Sequence, residues 1–146
     1  MDNTKPLIIL TRPHGRSDSL IAKLHKNNYS AINIPCLAIK YLRPQFNFTS
    51  EYSKFIFVSV NAVEGFFKLC STPVETKELI AKLNKRSVYA IGAATAELLK
   101  NYGISNVIYP SQANLENSED FVKLTELQNI ADDHVVMIRG DRGRGV

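Results

Sequence analysis

Four short segments of this 146-residue chain place small, hydroxyl-bearing or basic residues where an anion could be held. They are Thr11-Arg12-Pro13, Ser59-Val60-Asn61-Ala62, Gly92-Ala93-Ala94-Thr95 and Arg139-Gly140-Asp141-Arg142-Gly143-Arg144. Each follows an apolar run that reads as a β-strand, and at least the second and third run straight into a helix. Free backbone N–H groups and the positive end of the helix dipole make such junctions anion sites. The hydroxyls of Ser59 and Thr95 would add short donors there, and Arg139, Arg142 and Arg144 could pair with carboxylates or phosphates. A plainer reading stands beside this one. Taken singly, Ser59 and Thr95 are helix caps, Gly92 serves a tight turn, and the last arginines form a solvated basic run. His14 and His25 read as surface residues, and Phe66, Phe67 and Phe121 as core.

The elements that must position these segments alternate along the chain. Leu7 to Leu10 reads as a buried strand between Pro6 and the turn residues Thr11 to Gly15. Ser17 caps a helix with Leu20, Ile21 and Leu24 on its apolar face, ending at Asn27-Asn28. Ala31 to Ile34 is a second strand, Leu37 to Leu42 a further extended piece, and Arg43 to Ser53 irregular with room for a short helix. Phe55 to Val58 is apolar throughout, as a strand covered on both faces should be. A helix follows over Ala62 to Leu69. Thr72-Pro73-Val74-Glu75 then opens another, with capping-box spacing and proline at the first helical position, placing Leu79, Ile80 and Leu83 on one face.

Val88 to Ile91 is the next strand, and the helix from Ala94 to Tyr102 closes at Gly103. Val107 to Tyr109 is a short strand stopped by Pro110, and Ser111 to Asn117 a polar loop. Ser118 caps a helix over Glu119 to Gln128, and Val135 to Ile138 is the last strand. Strand, turn and helix repeated in this way predict an α/β fold, three layers deep, with a mostly parallel sheet. The turn at Gly140 to Gly145 should open one more helix, so the chain reads as cut short.

Composition narrows the field. Hydrophobic residues make up 45% and charged residues 22%, an ordinary globular balance that argues against disorder. Eighteen Lys+Arg against 14 Asp+Glu give a net charge of +4, too diffuse for a nucleic-acid footprint. The apolar run near the N-terminus is too short for a signal peptide or a membrane span, so no membrane partner is expected. Cys36 and Cys70 are far apart, which with the absence of an export signal points to a reducing, cytoplasmic setting. His14, His25 and His134 do not combine with the cysteines at metal-ligand spacing, so no metal is expected. Gly140 to Gly145 spells G-x-x-G-x-G rather than the dinucleotide order, and neither a phosphate-binding loop with G-x-x-x-x-G-K-[ST] nor a G-x-S-x-G elbow occurs.

In order and spacing, the strand-end segments resemble one family, uroporphyrinogen-III synthase. The resemblance rests on Ile9-Leu10-Thr11-Arg12-Pro13, on Phe57-Val58-Ser59-Val60-Asn61-Ala62-Val63, and on Tyr89-Ala90-Ile91-Gly92-Ala93-Ala94-Thr95-Ala96 with its trailing Leu98-Leu99 and Tyr102-Gly103. Ser118-Glu119 with Leu124, and Ile138 to Arg144, complete it; Val58 stands where many members have threonine. The resemblance implies two α/β/α domains joined by a two-strand hinge, with substrate in the cleft. The substrate is hydroxymethylbilane, a linear tetrapyrrole with eight carboxylates. It closes to uroporphyrinogen III through loss of water and a spiro intermediate, with the last ring inverted and no cofactor. By the same resemblance Ser59 and Thr95 contact substrate through their hydroxyls, Asn61, Ala62, Gly92 and Ala93 supply turn and backbone contacts, Arg12 is a cleft residue, and Arg139 and Gly140 are further substrate-binding candidates.

Members of the family are longer. The resemblance implies that residues 1–34 are a βαβ fragment of the first domain. Residues 35–146 are then a second α/β domain lacking its C-terminal helix and strand, so the fold is one nearly complete domain plus a fragment of another. A tyrosine suspected as proton donor in the family has no counterpart in this stretch. The expectations are therefore marginal stability, weak or absent synthase activity, and a monomer as in the family, with a strand-exchanged dimer as the other outcome. A non-catalytic α/β module that binds a small polyanion is the competing reading.

Overall fold

The computed structural model describes residues 6–42, 48–110, 121 and 134–141. The chain divides into two compact units, Met1–Lys40 and Tyr41–Val146. The first is a single βαβ turn: β1 (Leu7–Leu10), α1 (Asp18–Lys26) and β2 (Ser30–Asn33). β1 and β2 pair in parallel from Leu7 with Ser30 to Leu10 with Asn33, and bonds from Ile34 N–H to Leu10 O (2.8 Å) and Cys36 N–H to Thr11 O (3.1 Å) carry the pairing onward. Ser17 begins α1 without a side-chain cap bond. The helix stops where the Asn27-Asn28 pair predicts. Asn28 adopts φ 61°, its N–H bonds His25 O, and Tyr29 N–H bonds Leu24 O, a Schellman ending in which asparagine fills the usual glycine position.

Alternation along these strands leaves one face bare. Leu7, Ile9, Ile32 and Ile34 are all 40–55% exposed, whereas Ala31 on the opposite face is buried. α1 packs on β2 but contributes no buried residue. The extended piece expected over Leu37 to Leu42 does not form a strand. Leu37 is exposed, and an apolar run becomes a strand only when a neighbour supplies its ladder.

The second unit holds the main core. Its strands β3 (Tyr52–Phe57), β4 (Ser87–Ala90), β5 (Val107–Ile108) and β6 (His134–Ile138) form one parallel sheet in the order β5-β4-β3-β6. The helices are α2 (Val60–Phe67), α3 (Pro73–Leu83) and α4 (Ala93–Asn101). Phe55, Phe57, Val88 and Ala90 meet Val63, Phe66 and Phe67 of α2, Leu83 of α3 and Leu99 of α4 in the larger cluster. Ile56, Tyr89 and Phe121 form a second cluster on the other side of the sheet. Phe121, itself helical, packs on that face, in keeping with a three-layer α/β/α arrangement. The rest of the helix expected over Glu119 to Gln128, its Ser118 cap and the preceding loop lie outside the described residues.

Several boundaries differ from the sequence reading. β3 begins at Tyr52, inside the stretch expected to be irregular, because pairing with β6 reaches Tyr52 opposite His134 through a register shift. The polar Ser53 and Lys54 are tolerated there near the strand's start. α2 begins at Val60, two residues earlier than expected and directly after its cap Ser59. α3 starts as predicted: Thr72 Oγ1 accepts from Glu75 N–H at 3.2 Å, and Glu75 reaches back to Ser71 N–H at 2.6 Å. α4 ends in a second Schellman motif. Gly103 takes φ 98° and bonds Lys100 O, while Ile104 N–H bonds Leu99 O and both of those side chains are buried.

One side chain ties the approach to β3 onto the α3–β4 corner. The Arg86 guanidinium donates to Tyr52 O (2.8 Å), Lys82 O (2.7 Å) and Thr49 O (3.5 Å), and its carbon stands 4.7 Å from the Phe48 ring centre. Removing it takes the donor from three carbonyls at once, with the Tyr52 bond partly buried and the other two exposed. Arg86→Ala is expected to lower unfolding stability in urea by about 2 kcal/mol, against less than about 0.5 kcal/mol for the exposed neighbour Lys85→Ala. Hydrogen exchange should separate the two units: the Ile34 and Cys36 amides are expected to exchange at least about a hundredfold faster than the Ile91 amide, which bonds Phe57 O in the core sheet. Equal protection in both units would contradict the weak packing inferred for the first.

Candidate functional site

Parallel pairing in register decides where the strand-end segments go. Phe57 stands opposite both Ala90 and Ile138, so β3, β4 and β6 finish level. One further rung on each side, Val58 N–H to Ile138 O and Ile91 N–H to Phe57 O (both 3.2 Å), holds the chains together just past the strand ends. Ser59, Gly92 and Arg139 therefore leave the sheet side by side at its carboxyl edge, where ligands of open α/β sheets bind.

Ser59 and Gly92 have nearly the same backbone, φ −166° and ψ 164° against φ −147° and ψ 168°, and each is the N-cap of its helix. Their chemistry differs. Ser59 Oγ accepts from Ala62 N–H at 3.2 Å, so one first-turn donor of α2 is already taken. Gly92 has no side chain with which to cap α4. Its carbonyl takes the amides of Thr95 and Ala96, each at 3.1 Å, which leaves Ala93 and Ala94 as first-turn amides without an intrahelical acceptor.

The turn role suggested for Gly92 is corrected by this geometry. Its φ is extended and open to any residue, and a Cβ there would meet nothing within 4 Å. What glycine supplies is unobstructed access to the amides behind it. Thr95 is likewise not a cap. It sits in the third helical position and is only 6% exposed.

The expected residues thus fall into three groups. Ser59, Asn61, Gly92, Ala93, Arg139 and Gly140 come together at the carboxyl edge, with Asn61, Ala93, Arg139 and Gly140 exposed. Ala62 and Thr95 belong to the same turns but are buried, and the Ala62 amide is engaged by Ser59. Arg12 lies in the first unit, on the β1–α1 turn, where its guanidinium donates to Arg16 O at 3.4 Å. With its amide turned to suit its neighbours, Asn33 donates to Leu10 O (2.8 Å) and Arg12 O (3.3 Å), which fixes that turn. Arg142 and Arg144 lie outside the described residues. Among the described residues no three His, Cys, Asp or Glu side chains gather as a metal site, and no helix is long and apolar enough to cross a membrane.

The sequence reading missed what braces α2, the helix that carries Ser59 and Asn61. The Tyr41 ring lies against Gly65 in mid-helix, its hydroxyl donates to Glu64 Oε2, and Lys68 Nζ sits 4.0 Å above the ring centre. A glycine inside a helix costs about 1 kcal/mol against alanine, and that cost was the available signal of a close approach. A Cβ on Gly65 would stand 2.9 Å from Tyr41 Cδ1. Gly65→Ala is accordingly expected to destabilise the chain by about 1 kcal/mol. In a Tyr41→Ala background the same change should turn neutral or stabilising, a sign reversal readable in a double-mutant cycle of urea melts.

Comparison with known proteins adds one match. The family described as uroporphyrinogen-III synthase HemD matches residues 18–146, which covers all of the carboxyl edge but not Arg12. No curated protein matches the chain.

Proposed function

We propose, for a chain that belongs to the uroporphyrinogen-III synthase HemD family, that the carboxyl edge of its four-stranded sheet seats carboxylates of hydroxymethylbilane during closure to uroporphyrinogen III. The observation that carries the reading is the level ending of β3, β4 and β6, which sets the open Ala93 and Ala94 amides beside Ser59 and Arg139. A substrate with eight carboxylates needs several donors facing one region, and an anion at a helix N-terminus gains about 0.3–1 kcal/mol, up to about 2 when partly buried. Arg139 adds a charge-assisted donor with fork geometry.

The reaction asks little of acid–base chemistry and much of positioning. One proton must reach the departing hydroxyl, and the resulting cation must be held so that attack occurs at the substituted carbon of the last ring; uncontrolled closure gives the uninverted isomer. Holding reacting groups in place is the larger contribution in such a case. Ser59, Gly92 and Ala93 orient side-chain carboxylates in this scheme, and none of them is assigned the proton.

A second reading, binding with little turnover, draws on the exposure of Asn61, Ala93, Arg139 and Gly140 and on the bare apolar face of β1 and β2. An edge that stays open to water seats a polyanion without enclosing the cation. The two readings separate in one assay. When the chain is supplied with enzymatically generated hydroxymethylbilane, the first reading expects isomer III as the main product, and the second expects mostly isomer I with isomer III below about one-tenth. Uroporphyrin III, an octacarboxylate, should shift the Ser59, Gly92, Ala93 and Arg139 amides, and Arg139→Ala should weaken that binding about threefold to tenfold. Predominant isomer III would establish turnover; no shift at those amides would refute the site.

A further inference from the structure

The amino-terminal edge of the same sheet carries a polar recess, about 20 Å from the carboxyl edge if β3 rises about 3.3 Å per residue. It is a groove of about 480 Å³, lined by Ser50, Ser53, Asn84, Lys85, Arg86 and Ser87 together with Tyr52. Among the described residues the lining holds two cations and three serines, and no carboxylate. Glu51 lies between lining residues in the chain but is not one of them.

The state of the two cations gives the groove its chemistry. Arg86 is held rigid by three neutral carbonyls and the Phe48 ring, so its position is fixed while its charge has no carboxylate partner among the described residues. Those three bonds use three of the five guanidinium N–H groups, and two remain. Lys85 is exposed and makes no ion pair among the described residues. Asn84 is occupied elsewhere, donating to Gly103 O at 3.0 Å and accepting from Ser105 N–H at 2.9 Å, so it shapes the wall. A pre-set guanidinium, an exposed ammonium and the Ser50 and Ser87 hydroxyls from two chain segments suit a tetrahedral dianion, whose oxygens accept from several directions.

We propose that this groove binds phosphate, free or as the phosphoryl group of a small phosphomonoester. The site is distinct from the carboxyl edge and does not depend on the function assigned there. Titration of the full chain with inorganic phosphate at fixed ionic strength, followed by amide NMR shifts, is expected to move Ser50, Ser53, Lys85 and Ser87 saturably and leave Gly92 to Ala94 unmoved. Lys85→Ala should weaken binding about fivefold, and Lys85→Glu should abolish it with the fold intact. Phenyl phosphate run in parallel identifies the source: binding at least about threefold tighter than inorganic phosphate marks a phosphomonoester site, and equal binding marks a site for the free ion. Absence of saturable shifts at these four residues, or undiminished binding by Lys85→Glu, would overturn the proposal.

Discussion

The register of one strand governs everything else in the second unit. Phe57 is flanked by Ala90 on one side and Ile138 on the other, and a one-residue slip of the ladder would turn every side chain of β3 to the opposite face. Phe55 and Phe57 are wholly buried on one side and Ile56 nearly so on the other, so both faces resist such a shift. Packing deep in the core is therefore what places Ser59, Gly92 and Arg139 abreast. None of the three needs to touch another for the edge to exist.

The order of elements and the places where strands run into helices were legible because they depend on local signals. The apolar run Phe55 to Val58, the Thr72-Pro73 start, the Asn27-Asn28 stop and Gly103 each carry a physical instruction that neighbours do not countermand. The features that escaped are all contacts between distant positions. Nothing local in Arg86 announces that it will collect carbonyls from Thr49 and Tyr52, more than thirty residues earlier. Nothing in Tyr41 announces that it will lie on Gly65. The start of β3 was misplaced for the same reason, since Tyr52 becomes strand through its pairing with His134 rather than through its own neighbourhood.

At the candidate site, side-chain chemistry and backbone geometry single out different residues of the same turns. Hydroxyls drew attention to Ser59 and Thr95, yet one is spent on capping and the other is buried. The residues with least chemistry, Gly92, Ala93 and Ala94, leave the backbone donors uncovered. Small size matters to those amides because no side chain at Gly92 covers them. The two caps, alike in dihedral angles, thus differ in what they leave over for a ligand.

The bare face of β1 and β2 has a thermodynamic consequence as well as a geometric one. Unfolding raises heat capacity in proportion to the apolar surface it newly wets. Leu7, Ile9, Ile32 and Ile34 are already largely wet in the folded first unit. Melting of that unit therefore carries a small heat-capacity increment and a shallow denaturant slope. Its free-energy curve is broad and flat, beside the sharply domed curve of a sheet whose phenylalanines are dry.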